Sequence, residues 1–178
     1  MTKPKIQVVF DAGPLITACK FKSEGKLVID HLLLGCFISI AQSVCDEVAV
    51  VGARYPDGEA AGQRIADGFI RIVPVTSQKW ARQLAGYAMG NGEKDSISLC
   101  GQLKDIEALV TDDYLAFVAA TRLGQKAWML PDMILEMGKC GSMTIESAQS
   151  ILSVIRPRYR PGVIEHSLEG LKEVKVNA

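Results

Sequence analysis

With 178 residues, 48% of them hydrophobic and 22% charged, the chain is long enough to bury a core without disulfides or structural metal, and its composition excludes a disordered or fibrous protein. Twenty basic residues balance twenty acidic ones, so no global field draws in nucleic acid and any polyanion site has to be local. Met1-Thr2-Lys3-Pro4-Lys5 lacks the apolar run of a signal peptide, and Lys, Asp, Glu or Gly interrupts every apolar stretch, so a cytoplasmic chain with no membrane partner is expected.

Ile6–Phe10 reads as a buried strand, and Pro14 suits the first turn of a helix running to about Lys20. A second helix is predicted over Lys26–Leu34, ended by Gly35, and Cys36–Ile40 is rich in strand formers. Val44, Val48 and Val51 have helical spacing, so a helix from Gln42 to about Val51 would carry Glu47 one turn in. Tyr55-Pro56-Asp57-Gly58 marks a loop before a short helix around Glu59–Asp67, which Gly68 stops. Phe69–Val73 alternates like a strand, Pro74 limits it, and Ser77 is a plausible N-cap for a helix to about Met89.

Gly90-Asn91-Gly92 breaks the chain before a helix from Glu93 to about Leu103, whose first turn carries both Glu93 and Asp95. Ala108–Thr111 is a strand ending at Asp112-Asp113, and a helix over Leu115–Leu123 closes at Gly124. Lys126–Met129 is a short strand, and Pro131 opens the last helix of the main domain, residues 1–140. Strands alternating with helices argue for an α/β fold with a mostly parallel sheet covered on both faces. From Gly141 the pattern changes: Thr144 caps a helix over Ile145–Ile155, and Arg156–Pro161 breaks it. Residues 141–178 read as a helical extension of the same domain.

Four acidic clusters fall at strand or helix ends: Asp11, Glu47, the pair Glu93/Asp95 and the pair Asp112/Asp113. In open α/β sheets ligands bind beyond the carboxyl ends of the strands. Taken singly, each acid has an ordinary reading as a helix cap, a solvated helical residue or a turn residue. Brought together they would repel by several kcal/mol unless cations fill the gap or some acids are protonated. Carboxylate oxygens without a cysteine or histidine cluster favour Mg²⁺ or Mn²⁺ over zinc. Such an ion activates water and steadies charge on a phosphoryl oxygen, which is the chemistry of phosphodiester hydrolysis.

The ordered series Val9-Phe10-Asp11-Ala12-Gly13-Pro14-Leu15-Ile16, Glu47, Gly92-Glu93-Lys94-Asp95 and Val110-Thr111-Asp112-Asp113 resembles the PIN-domain nucleases, including VapC-like toxins of toxin–antitoxin modules. The resemblance spans about residues 5–140. It implies a PIN-like three-layer α/β/α fold and Mg²⁺- or Mn²⁺-dependent endoribonuclease cleavage of single-stranded RNA. It places Asp11, Glu47, Asp95 and Asp113 on the family's catalytic, metal-binding positions and Thr111 on its Ser/Thr before the last acid. Glu93 and Asp112 become supporting or substitute metal-binding acids. Candidate partners are single-stranded RNA, an antitoxin protein and a second copy of the chain in a homodimer. The rival reading is a catalytically inactive PIN-like scaffold that binds RNA or a protein.

Other signals are weaker. Arg156, Arg158 and Arg160 form the densest basic cluster, with Tyr159 available to stack on a base, although most such runs are simply solvated. Lys94, Arg122 and Lys126 lie near candidate acids without a decisive role. His31 and His166 are too far apart to suggest a histidine mechanism, and Trp80 and Trp128 read as core or interface. Five cysteines (Cys19, Cys36, Cys45, Cys100, Cys140) form no C-x-x-C pair and read as reduced core residues. A dehalogenase-like phosphatase needs a second aspartate where this chain has Gly13, and a dinucleotide fold lacks its Gly-rich first turn.

Overall fold

Val8, Val9 and Phe10 are all fully buried, so strand β1 (Ile6–Phe10) presents apolar side chains to both faces, the pattern of an interior strand of a parallel sheet. The computed structural model describes residues 5–176; residues 1–4, which hold most of the polar opening segment, and 177–178 lie outside the described residues. From β1 the chain passes through α1 (Ala12–Lys20) to an antiparallel hairpin, β2 (Lys22–Ser23) with β3 (Lys26–Leu27), then α2 (Val28–Gly35) and β4 (Cys36–Ala41). The hairpin replaces the start of the helix expected at Lys26. Glu24 and Gly25 between its strands have φ of 52° and 80°, as in the tight turns that join two-residue hairpins.

The helix expected over Gln42–Val51 is present in three pieces: α3 (Gln42–Cys45), a π-helical turn (Asp46–Val50) and a 3₁₀ turn (Val51–Arg54). Helix α4 (Pro56–Ala66) crosses this segment so closely that a Cβ on Gly58 would lie 2.1 Å from the Gly52 carbonyl oxygen and 2.6 Å from that of Val48. Pro56, read as a loop residue, instead opens α4, where its missing N–H costs nothing. Arg64 on α4 donates to both carboxylate oxygens of Asp30 on α2, at 3.0 and 2.8 Å.

Gly68 ends α4 at φ 77° before β5 (Ile70–Val73). The helix expected over Ser77–Met89 shrinks to α5 (Ala81–Ala85). Its missing first turns have a local cause: the Gln102 side chain accepts from the backbone N–H groups of Thr76 and Ser77 at 2.7 and 3.0 Å, satisfying them without a helix. The remaining elements are α6 (Asn91–Gln102), β6 (Ala108–Val110), α7 (Tyr114–Arg122), β7 (Ala127–Trp128) and α8 (Leu130–Lys139).

The five main strands lie in the order β5-β4-β1-β6-β7, with every pairing parallel. With helices on both faces this is the three-layer α/β/α arrangement. The chain leaves β1 to build one half of the sheet, then crosses to β6 and builds the other. The crevice between the carboxyl ends of β1 and β6 is therefore the topological switch point, where ligands of open α/β sheets bind. Phe10 and Val110 are paired in register there, and each is followed at once by a candidate residue, Asp11 or Thr111.

Beyond residue 140, the Thr144 hydroxyl accepts from Ser147 N at 3.2 Å and caps α9 (Ile145–Ile155). A 3₁₀ turn (Arg156–Arg158) leads into α10 (Pro161–Val176). Ile151, Leu152, Ile155, Ile164 and Leu171 are fully buried in the same apolar cluster as the sheet. Gly138 and Gly170 allow α8 and α10 to approach: a Cβ on either would come within 2.5 or 2.9 Å of Leu171 or Leu135 respectively. Cys19, Cys36, Cys45 and Cys100 are buried, whereas Cys140 is exposed at the end of α8. Trp128 is buried in the core cluster, and Trp80 packs over Gly101.

Candidate active site

The β1–β6 pairing runs one residue past the end of β1, because Asp11 N donates to Val110 O at 3.0 Å. This holds the Asp11 carboxylate, only 5% exposed, at the switch point. It accepts three hydrogen bonds: from Thr111 Oγ1 to Oδ2 at 2.8 Å, from Ala12 N to Oδ1 at 2.9 Å and from Ser96 Oγ to Oδ1 at 3.4 Å. An ordinary N-cap reaches the second or third helical N–H; Asp11 reaches only Ala12, the first, so capping does not account for its placement.

Three donors would normally hold a carboxyl pKa low. That of Asp11 is instead raised from 3.8 to about 6, chiefly by burial; the Thr111 and Ala12 hydrogen bonds lower it, and the charges of Glu93 and Glu47 push it up. The sign has a stability consequence. A carboxyl whose folded pKa is raised binds its proton more tightly in the native state, so its favourable contribution is complete below about pH 4 and is lost as pH rises to about 6. At about 1.4 kcal/mol per unit, the metal-free protein should lose up to about 3 kcal/mol from this group across that window. Urea unfolding at pH 4.5 and 7.5 checks it: Asp11→Asn should remove most of that pH dependence, and an unchanged difference between the two pH values would contradict it.

Glu47 lies within the π-helical turn, a local widening often found at functional sites. Its Oε2 is 3.3 Å from where a Cβ on Gly92 would sit, so the glycine lets the first turn of α6 close on it. Burial and the charge of Glu93 both raise the Glu47 pKa. Glu93 itself folds back over the start of α6, where a Cβ on Gly90 would lie 2.7 Å from its Oε2. Glu93 and Ser96 are three residues apart and so share a helix face. Both address Asp11, one by charge and the other by a hydrogen bond.

Asp95 is turned elsewhere. Its Oδ2 accepts from the Ser43 hydroxyl at 2.6 Å, and with Lys94, Asn91 and Ser98 it lines a separate cleft of about 290 Å³. Asp112 faces the C-terminal helices: Oδ2 accepts from the Tyr159 hydroxyl at 2.7 Å and Oδ1 from Leu130 N at 3.4 Å. Burial raises the Asp112 pKa, while the Tyr159 and Leu130 hydrogen bonds and the nearby Arg158 lower it. Asp113 caps α7 by accepting from Ala116 N at 2.7 Å, and its own N–H donates to Thr111 Oγ1 at 3.2 Å. Thr111 thus gives its proton to Asp11 and receives one from the Asp113 backbone.

The structure brings Asp11, Glu47 and Glu93 into one electrostatic group, puts Asp113 one hydrogen bond further through Thr111, and leaves Asp95 and Asp112 with other partners. Among the described residues, no group of three or more Asp, Glu, His or Cys side chains is placed to hold a metal ion together. The basic cluster is partly engaged as well: Arg156 pairs with Glu165 at 2.6 Å, Arg158 Nε donates to Thr17 Oγ1 at 3.4 Å, and Tyr159 is spent on Asp112. Ser96 and Ser43 are polar partners that sequence reasoning passed over, and Tyr159, read there as available to stack on a base, instead donates to Asp112. Only Ser96 had a signal, its place three residues beyond Glu93 on the same helix.

A family model described as a PIN domain matches residues 7–169. The chain belongs to the PIN-domain family. PIN domains are generally nucleases and typically use divalent metals. The match continues past residue 140 through α9 and over the first part of α10, ending at residue 169. No curated protein matches the chain. Among the described residues no helix is long and apolar enough to cross a membrane.

Proposed function

We propose that this PIN domain is a Mg²⁺- or Mn²⁺-dependent endoribonuclease hydrolysing phosphodiester bonds of single-stranded RNA. The observation that supports it is the placement of Glu47 and Glu93, from two further elements, close enough to the buried Asp11 carboxyl for their charges to add to the effect of burial on it. Like charges gathered around a buried acid oppose folding unless a cation shares them. The donors are oxygens without thiol or imidazole, which suits a hard ion. Magnesium keeps several waters and is commonly held by one or two carboxylates plus substrate phosphate, so a site without three converged protein ligands fits it.

Asp11 and Glu93 would hold the ion. When bound, the ion polarises a phosphoryl oxygen and makes water a better nucleophile. An ionised carboxylate has about four acceptor sites; Thr111, Ala12 and Ser96 fill three on Asp11, fixing its orientation and leaving capacity for one further partner. Glu47 is solvent-accessible and its pKa is raised, which suits its carboxylate to take the proton of the attacking water. A toxin role in a toxin–antitoxin module is part of the same proposal, since cleavage of cellular RNA is the activity such a toxin needs, and it places the action in the cytoplasm.

The test is cleavage of single-stranded RNA with and without metal. Products should carry 5′-phosphate and 3′-hydroxyl ends, RNA with 2′-deoxyribose at the cut site should still be cleaved, and excess chelator should stop the reaction. Ends with 2′,3′-cyclic phosphate would contradict water attack. RNA binding without cleavage in any divalent metal would favour the inactive scaffold.

A further inference from the structure

One surface beside the carboxylates has no part in the mechanism above. Glu47 forms one wall of an apolar cleft of about 200 Å³ with Ile16, Val51 and Tyr55. A second cleft of about 550 Å³ adjoins it, sharing Tyr55 and Asp57, and is lined further on by Lys20, Lys22 and Pro56. Ile16 and Lys20 are four residues apart on α1 and therefore lie one turn apart on the same face. The two clefts thus form one groove between α1 and the start of α4, beginning at a carboxylate of the proposed centre and ending at two lysines.

Its lining changes character along the way. Next to Glu47 it is apolar, and Val51 is 68% exposed. At the junction stands Tyr55, 52% exposed, with the Arg54 guanidinium 5.0 Å from its ring centroid. At the far end Lys20 and Lys22 are exposed, and among the described residues no salt bridge engages either of them or Arg54. An aromatic face flanked by unpaired cations is the arrangement that holds single-stranded nucleic acid, with bases stacked on rings and phosphates on Lys and Arg. Asp57 lies at the junction and would repel phosphate. That favours a base at Tyr55 and phosphates beyond it.

Resting on the nuclease reading, we propose that this groove is the path of the RNA strand beside the scissile bond: a base stacks on the face of Tyr55 opposite Arg54, and Lys20 and Lys22 take the following phosphates. The geometry commits the groove to RNA because it is continuous with Glu47.

The test measures binding of a fluorescein-labelled single-stranded oligoribonucleotide in Mg²⁺ on the full chain carrying Asp11→Asn, so that cleavage does not consume the probe. Adding Tyr55→Ala should weaken binding about tenfold, and Tyr55→Phe should restore it. Lys20→Gln with Lys22→Gln should lower the slope of log affinity against log salt by about 1.4, at roughly 0.7 per phosphate contact on a single strand. Thermal melts establish that each variant is folded. Unchanged affinity in folded Tyr55→Ala, or an unchanged salt slope in the double lysine variant, would overturn this path and leave the groove to a protein occupant. Wild-type cleavage, assayed separately, would still uphold the nuclease reading in that case. No RNA binding and no wild-type cleavage would remove both.

Discussion

Replacing Asp11 by Asn should reduce RNA cleavage by about a hundredfold to a thousandfold, the order seen when one preorganised electrostatic group is removed from an active site, while the fold stays about as stable at pH 7. The two halves of this expectation have the same cause. At pH 7 Asp11 is mostly ionised although burial and the charges of Glu93 and Glu47 oppose ionisation, so the wild-type protein carries a cost the variant lacks. The amide can be accommodated. Its oxygen accepts from Ala12 N, and its NH₂ donates to Thr111 Oγ1, whose hydroxyl reverses its role. Thr111 Oγ1 then accepts from both the amide and Asp113 N, and its buried O–H loses its acceptor at a cost of about 1–3 kcal/mol, against relief of up to about 3 kcal/mol. Single-turnover cleavage with urea melts at pH 7 checks both halves; an inactive but unfolded variant, or a folded variant with full activity, would contradict the account.

The second large effect should come from a residue with no functional group. Gly58→Ala is expected to destabilise the protein by about 3 kcal/mol, near the upper end for overpacking, because the added Cβ meets backbone rather than flexible side chains: the carbonyl oxygens of Gly52 and Val48 at 2.1 and 2.6 Å. For a chain of this size that lowers Tm by about 10 °C. The displaced backbone is the one that carries Glu47, so the remaining folded protein should also cleave RNA more slowly, by about tenfold. Gly62→Ala on the same helix is the control. Its Cβ would touch only Ala49 Cβ at 3.7 Å, so it should be neutral or gain a few tenths of a kcal/mol from helix propensity. Equal melting temperatures for the two variants would contradict the close backbone contact.

The sheet and the switch point were legible because they rest on local signals. Val8-Val9-Phe10 and Ala108-Leu109-Val110 are apolar runs of strand length, and each stops at a polar residue. The helix cap at Thr144 and the stops at Gly68 and Gly124 were legible for the same reason, since each depends on one side chain or one positive φ. Features set by distant residues were not. The segment 77–80 lost its helix to the Gln102 side chain, some 25 residues away. The π-helical turn around Glu47 lies against Gly58, and helical periodicity in Val44, Val48 and Val51 is nearly the same for either winding. Both acid pairs were visible as pairs, but which member faces Asp11 depends on rotation about α6 and on Tyr159, 47 residues beyond Asp112. Ser96 reports that rotation for α6: whichever acid shares its face meets Asp11, and that acid is Glu93.

The direct measurement is Mn²⁺ affinity by calorimetry at pH 7.5 for wild type, Glu93→Gln and Asp95→Asn. Glu93→Gln should weaken binding about ten- to a hundredfold, on loss of an acid whose charge acts on Asp11 and which would hold the ion. Asp95→Asn, whose carboxylate bonds Ser43 and lines a separate cleft rather than adding its charge to Asp11, should stay within about twofold of wild type. The reverse order, with Asp95→Asn abolishing Mn²⁺ binding and Glu93→Gln unchanged, would contradict a centre built from Asp11, Glu47 and Glu93.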